Sequence, residues 1–465
     1  MKVVGVVLAL ALVAAGCGET RAQHAAPVRK LALHRGAGPT HRSTRALLVV
    51  TVVNGDTSRR VPGALVQIGR RRDRSDRHGV ALIRVGRRGA YNVTVNAGGY
   101  TARTLREPFQ LRRKVTIRIY RPALQWPMYG VSATRSQVQS EIRLRPPFHV
   151  VWSRGIGSMI EFPAVVWDGV AYIANHSGSI HALSMRSGNA VWQYDTPHGK
   201  MAASPAIWRD ELVAHGMDGR VWVLDRQTGR LRWNRSIGSP IESSPVVWHG
   251  VDYFGTWNGR LYALDLRTGR FRWTHVLGAK TTSSASIAGR TLYIGDYAGR
   301  VWAIDAPTGR TRWVRGVNGR VYGTPALSHG RVFVPSSDGN SVTAFSMSGR
   351  YLWSVHAGSY VYSSPAVWGG RVIFGSADGV LYCVSAGSGQ TLWTVGVGGP
   401  VSGAAAVVDG VAYVGSLIGR IIGVDARTGR VLFRFPHGRY VPVSGNGGVL
   451  LFHGFSRLYA VAPRR

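Results

Sequence analysis

The chain has 465 residues, more than one ordinary domain needs, and 45% of them are apolar, enough for a substantial core. Only two cysteines occur, Cys17 and Cys383, which excludes a disulfide framework, and 60 glycines with 15 tryptophans and 18 tyrosines favour short strands and tight turns over helices. The formal net charge of +36, from 58 Lys+Arg against 22 Asp+Glu, suits acidic partners such as anionic lipid headgroups, acidic wall polymers or nucleic acid; an arginine-rich compositional bias is the other reading, since these side chains are scattered through turns.

The first element is an apolar run from Val3 to Ala15 behind a single lysine, Lys2. It is shorter than the roughly 20 residues a spanning helix needs and suits the apolar region of a signal peptide. The run ends Ala14-Ala15-Gly16-Cys17, small residues directly before a cysteine, and this resembles the lipobox of bacterial lipoproteins. The resemblance implies a signal over residues 1–17, with Cys17 lipidated on sulfur and becoming the mature N-terminus. It also implies a lipid-anchored protein on the extracytoplasmic face of the cell membrane, periplasmic where the host has an outer membrane. Cys383 then has no partner; it stands where sister segments carry Ala263 or Ala303, and reads as a small buried side chain. Residues 18–45, rich in Ala, Arg, His, Gly and Thr with no apolar period, read as a disordered basic tether.

From Leu47 the pattern changes to alternating strands separated by turn signals at Asn54-Gly55, Pro62-Gly63, His78-Gly79 and Gly98-Gly99. The segments VPGALVQI (61–68), DRHGVALI (76–83) and YNVTVNAGGY (91–100) resemble carboxypeptidase-regulatory-like modules. That resemblance implies a small prealbumin-like β-sandwich over 46–121, structural or adhesive, with no catalytic residues to carry over. Residues 18–121 hold 23 basic and 5 acidic side chains, half of the net charge in under a quarter of the chain. Anionic lipid or acidic wall polymer is the partner this charge suits; a solvated linker domain is the alternative.

The rest of the chain repeats. Trp152, Trp192, Trp233, Trp273, Trp313, Trp353 and Trp393 recur every 40 or 41 residues, and the next step lands on Phe433. Before each later aromatic stand two turn glycines, such as Gly259 and Gly269, and earlier a Ser/Thr-Pro step at Pro205, Pro245, Pro325 and Pro365. A period near 40 with four strand-sized segments per unit predicts propeller blades. Within 241–273 the strands are SSPVVW, VDYFGTW, RLYALD and RFRW, with Asn258-Gly259 and Asp265–Gly269 as turns. Eight outer-strand aromatics predict eight blades. The final GFSRLYAVAPRR lacks an outer strand and the early FHVVW (148–152) lacks a blade, so pairing the two closes the ring and removes the open sheet edges.

The phrase Ala263-x-Asp265-x-x-Thr268-Gly269-x-x-x-Trp273, repeated at Ala303, Asp305, Thr308, Gly309 and Trp313 and in part at Asp225, Gly229, Asp425 and Gly429, resembles the tryptophan-docking motif of quinoprotein-type propellers. The resemblance implies that each indole packs on a neighbouring blade. Burying one removes about 150–250 Å² from water, several kcal/mol at ~25 cal/mol/Å². The lead-in WPMYG (126–130) resembles that of pyrroloquinoline-quinone-like repeat proteins, and the lipobox with eight blades resembles the BamB-like group of propeller lipoproteins. The expectation is an all-β chain, a prealbumin-like sandwich followed by a quinoprotein-like eight-bladed propeller over 122–465.

No two cysteines are adjacent, as the quinone enzymes of this fold have them beneath the cofactor, and the propeller's acids sit mostly in turns: Asp218, Asp225, Asp265, Asp305, Asp338, Asp378 and Asp425. No histidine pair among His176, His181, His215, His249, His275 and His356 has zinc-ligand spacing, His176 and His181 being read onto opposite faces of one strand. The expected function is a non-enzymatic, monomeric scaffold that binds envelope or membrane proteins through its blade loops, with neither quinone nor metal. A quinone-dependent dehydrogenase and a wall-glycan binding module are the alternatives; nucleic acid is set aside, because an exported protein rarely meets it.

Overall fold

The computed structural model describes residues 46–85, 89–109, 114–197, 199–439 and 441–464. The lipobox, Cys17 and the 18–45 tether lie outside the described residues. Residues 45–465 form one compact unit.

The chain enters this unit as two facing sheets. One has Ala46–Asn54 at its centre, antiparallel to Val80–Val85 and parallel to Lys114–Ile119. The other runs Arg71–Arg74, Leu65–Ile68, Gly89–Asn96, Arg103–Phe109. Alternation explains the pairing: Leu48, Val50, Val52, Ile83 and Ile117 from the first sheet and Val66, Val93 and Val95 from the second point into one dry layer, while the arginines between them face water.

Eight further sheets, among the described residues, form the ring. Seven hold four consecutive antiparallel strands of the repeat, one of them with Val138–Gln139 added in parallel at its inner edge; in blade 3 these are Val246–Trp248, Val251–Gly255, Arg260–Asp265 and Arg270–Val276. The inner three strands are buried on both faces, whereas the outer strand alternates. Blade 8 closes the ring: Ser444–Gly445, Leu450–His453 and Arg457–Pro463 are completed by Phe148–Gly155 from the start of the repeat region. The expected pairing of chain start and chain end is thus the observed one.

In every blade the outer aromatic sits directly across from a small or short side chain of the third strand. The pairs are Ala460–Trp152, Ala182–Trp192, Val223–Trp233, Ala263–Trp273, Ala303–Trp313, Ala344–Trp353, Cys383–Trp393 and Gly423–Phe433. The register shifts immediately after each pair, an irregularity that bends the outer strand. Cys383 therefore holds a packing position; it is fully buried and free, and burial pushes its thiol up to about 12.

The segment 126–139 runs round the ring axis and pairs with the innermost strands. Trp126 and Val166 exchange both backbone hydrogen bonds, and the N–H groups of Ile207, Ile287, Leu327, Val367 and Val407 donate to the carbonyls of Pro127, Ala133, Thr134, Ser136 and Gln137 at 2.7–2.9 Å. Inner edges that would otherwise lack acceptors are satisfied one blade at a time. Following so tight a path takes positive φ at Val131, Arg135 and Gln137. Arg135 is wholly buried on the axis, and its guanidinium donates to the carbonyls of Tyr129, Ala285, Ser244 and Pro245. Burial pulls it down to about 10.

Candidate functional site

The blade joints occupy one end of the ring. Asp265 Oδ1 accepts both the N–H and the hydroxyl of Thr268 at 3.0 Å, and Gly269 follows at φ +64°. Asp225, Asp305 and Asp425 make the same turn with Thr228, Thr308 and Thr428. Burial pushes the Asp305 carboxyl up, but the Arg312 and Thr308 bonds outweigh it and hold the group at about 2. Trp152, Trp192, Trp273, Trp313 and Trp353 each donate their Nε1–H to a carbonyl at the next blade's turn, those of Met185, Arg226, Ala306, Met347 and Ala386, at 2.8–3.2 Å. The turn glycine lies beneath the ring: a Cβ built on Gly229, Gly309 or Gly429 falls 2.6, 2.7 or 2.9 Å from the indole of Trp192, Trp273 or Trp393. Gly269 differs, its Cβ position being 3.9 Å from Trp233. Phe433 meets no such turn, because the third and outer strands of blade 8 come from opposite ends of the chain. It packs edge-on against Phe148, the first residue of that outer strand, with ring centres 5.3 Å apart.

The other end of the ring holds an axial cavity of about 260 Å³. One repeat position supplies much of its wall: Glu161, Glu242, Thr282, Tyr322, Tyr362, Ser402 and Pro442, with Phe162 and Tyr129 added. The loops that carry them connect each outer strand to the next inner strand, so closing the ring brings the residues together. One step further along, a chain of hydroxyls fixes these loops: Ser244 Oγ accepts from Ser204 N–H, Ser284 Oγ from Ser244 N–H, and Ser364 Oγ from Thr324 N–H, at 2.8–3.0 Å. These are the residues of the Ser/Thr-Pro step or their equivalents.

Glu242 is 9% exposed. Its Oε2 accepts from Trp257 Nε1 at 3.0 Å and its Oε1 from the Tyr322 hydroxyl at 2.9 Å. Burial raises the Tyr322 phenol, and the charges of Glu242 and Glu161 raise it further. Glu161 bonds His176, with Lys200 at 3.9 Å. His176 lies in the turn before the strand Ser179–Ser184 and His181 within that strand, so the two do not occupy opposite faces of one strand; the backbone has turned at Gly178 between them. A second buried acid, Asp252, sits inside Val251–Gly255 rather than in a turn. Its Oδ2 is 2.8 Å from His215 Nε2, and His215 Nδ1 is 2.6 Å from the Ser243 carbonyl, all fully out of solvent. Glu161, Glu242 and Asp252 were not singled out by turn chemistry. The signal for the first two is a column of the repeat, three residues before the proline position, in which the copies disagree.

Eight four-stranded blades closed by the two ends of the repeat region define an eight-bladed β-propeller of pyrroloquinoline-quinone-like repeats. The chain belongs to the family described as outer membrane protein assembly factor BamB, whose model matches residues 149–285, 257–379 and 341–454. The BamB structure from Moraxella catarrhalis superposes with a TM-score of 0.59 at 18% identity, covering 69% of this chain and 99% of that one. A quinohemoprotein alcohol dehydrogenase from Comamonas testosteroni superposes with a TM-score of 0.64 at 15% identity, covering 74% and 81%. In sequence, the alcohol dehydrogenase of that organism is 27% identical over 127 residues, 24% of this chain and 18% of that protein. A 1-butanol dehydrogenase (cytochrome c) from Thauera butanivorans is 33% identical over 99 residues, 19% of this chain and 14% of that protein. The chain thus spans under a fifth of the length of these curated relatives.

A quinone cofactor with three carboxylates fits the axial cavity poorly. The described lining includes Glu161 and Glu242 and no lysine or arginine, so the cofactor's charges would meet like charges in a site of low dielectric. Arg135, the cation deeper on the axis, already spends its donors on four carbonyls. Among the described residues, no three His, Cys, Asp or Glu side chains converge as a metal site, and no helix is long and apolar enough to cross a membrane.

Proposed function

We propose that the chain is a non-enzymatic envelope scaffold, anchored through lipidated Cys17, carrying a tether (18–45), a basic sandwich (46–121) and a ring (122–465) that captures membrane or envelope proteins. The observation that carries this reading is the cavity end of the ring. Trp257, Tyr360, Leu417, Ile418 and Phe455, from several blades, stand exposed there on the loops between second and third strands or between blades. The sandwich contacts the other end, where Tyr120 packs on Gly169 and the Asp56 turn on Gly447 and Gly448, so the contacts its described residues make leave the apolar end to a partner. Exposed apolar side chains gathered on one face mark an interaction site more often than scattered ones do. The scaffold role agrees with the family membership, and the basic sandwich adds a contact to anionic lipid or wall polymer that fades as salt rises.

Crosslinking in intact cells tests the reading: Ile418→Asp with Phe455→Asp abolishes crosslinks to envelope proteins while the protein stays folded, and unchanged crosslinks refute it. Cys17→Ala moves the protein from the membrane to the soluble fraction; continued retention refutes the anchor. The second reading, quinone-dependent alcohol oxidation, is favoured by the dehydrogenase relatives and opposed by the acidic cavity. A purified sample with a quinone absorption band and dye-linked alcohol oxidation would establish it.

A further inference from the structure

The axial cavity has a chemistry that scaffolding does not use. Its walls include two near-perpendicular ring pairs: Tyr322 and Tyr362 with centres 5.5 Å apart at 85°, and Tyr129 and Phe162 at 5.8 Å and 75°. Between them stands Glu242, nine-tenths buried, both of its oxygens held by neutral donors. None of the ion pairs among the described residues involves Glu242, and no cation is in the lining. A buried carboxylate without a counter-ion is destabilising, and an entering cation relieves it. Aromatic faces add to that attraction, most strongly where water is excluded. The rim already shows this pairing: the Lys280 ammonium sits 3.5 Å from the centre of the Trp257 ring, whose nitrogen holds Glu242.

We infer that the cavity binds a small organic ammonium ion, with Glu242 and Glu161 supplying charge and Tyr129, Phe162, Tyr322 and Tyr362 supplying aromatic walls. A volume of about 260 Å³ holds on the order of nine waters at ~30 Å³ each, which is room for an alkylammonium headgroup and a short chain. A sugar is the poorer fit, since a neutral ligand leaves the buried Glu242 without a counter-ion. A bare metal ion is poorer still, since no three His, Cys, Asp or Glu side chains converge there among the described residues.

Titration calorimetry on the purified full chain tests this with choline chloride and its neutral isostere 3,3-dimethylbutan-1-ol. Saturable one-to-one binding of choline is expected, with the alcohol weaker by about tenfold or more, since each 1.4 kcal/mol is a factor of ten. Glu242→Gln weakens choline by a similar factor with an unchanged circular-dichroism melt. Tyr362→Leu, a second variant, keeps the test open should the first unfold. No saturation below about 10 mM, equal binding of the neutral isostere, full affinity in a folded Glu242→Gln, or displacement of choline by a monosaccharide each overturns the inference. Release of the protein from phosphatidylcholine vesicles by free choline assigns the ion to a lipid headgroup; binding of free choline alone assigns it to a soluble solute. Neither result bears on partner crosslinking, so this inference and the scaffold reading fail separately.

Discussion

Gly309 and Gly269 occupy the same place in the same turn, yet the structure separates the cost of adding one methyl group to each. Both adopt left-handed backbone, at φ +73° and +64°. An alanine there carries about 1–2 kcal/mol of steric strain at either site. At Gly309 the new Cβ also lies 2.7, 2.9 and 3.0 Å from Cδ2, Cε3 and Cγ of Trp273, whose Nε1 is tied to the Ala306 carbonyl at 2.8 Å and so resists moving away. Overpacking of that kind adds about 1–3 kcal/mol. At Gly269 the nearest ring atom is 3.9 Å away, an ordinary contact. Gly309→Ala should therefore cost about 2–5 kcal/mol and Gly269→Ala about 1–2. Urea unfolding followed by circular dichroism reads the difference. A double-mutant cycle isolates its source: Trp273→Ala alone costs about 3–5 kcal/mol, but in its background Gly309→Ala loses the overpacking part, a coupling of about 1–3 kcal/mol. The corresponding Trp233→Ala, Gly269→Ala pair should add to within ~0.5 kcal/mol. Equal costs at the two glycines, or additivity at the first pair, would refute the claim that the indole rests directly on the turn.

Asp252→Asn leaves His215 facing a broken partner inside the ring and should cost about 3–5 kcal/mol by equilibrium unfolding, whereas the double change His215→Met with Asp252→Leu should recover much of it. Two other titratable groups, one buried and one half-buried, oppose one another with pH. His453, whose Nε2 accepts the Ala164 N–H, is pulled down to about 3 by burial, so the unfolded chain takes up its proton first and stability falls as pH drops below 6.5. Asp56, at the contact of sandwich and ring, is pushed up to about 7, chiefly by burial, with Asp168 adding to the rise after the Gln125 bond lowers it; its contribution is complete below about pH 4 and is lost as pH rises through 7. Between about pH 4 and 6.5 the slopes, ~1.4 kcal/mol per unit each, offset. Asp56→Asn should then unmask a fall toward acid and His453→Gln a fall toward neutrality; a flat profile in either variant contradicts the assigned burial.

The fold was legible because each repeat carries its own local chemistry. Asn258-Gly259 and Asp265-x-x-Thr268-Gly269 make their turns within a few residues, and Trp273 announces an outer strand wherever it recurs. Ring closure was legible for the same reason: a missing outer strand at one end matched a surplus strand at the other. The path of 126–139 was not, since it carries no period and its backbone is decided by N–H donors that stand round the axis only once the inner strands of six blades are in place.

The cavity was illegible for a reason opposite to that which revealed the blades. Glu242 and Tyr322 touch across 80 residues of chain, and Glu161 holds the same place in the first copy. A search for what the copies share passes over this column, whose members are Glu161, Ala202, Glu242, Thr282, Tyr322, Tyr362, Ser402 and Pro442. Position in the repeat fixes where each side chain ends up, on the axis, while the ring places no packing demand on its identity, since the wall faces open space rather than another blade. Residues that answer to packing must recur with the blades, as Trp and Gly do at the joints. Those that differ from copy to copy at a fixed, inward-facing position are free to answer to a ligand. In a closed ring of repeats, the column that fails to repeat while its neighbours do is therefore the place to look for binding chemistry, and here it holds a buried carboxylate between aromatic walls.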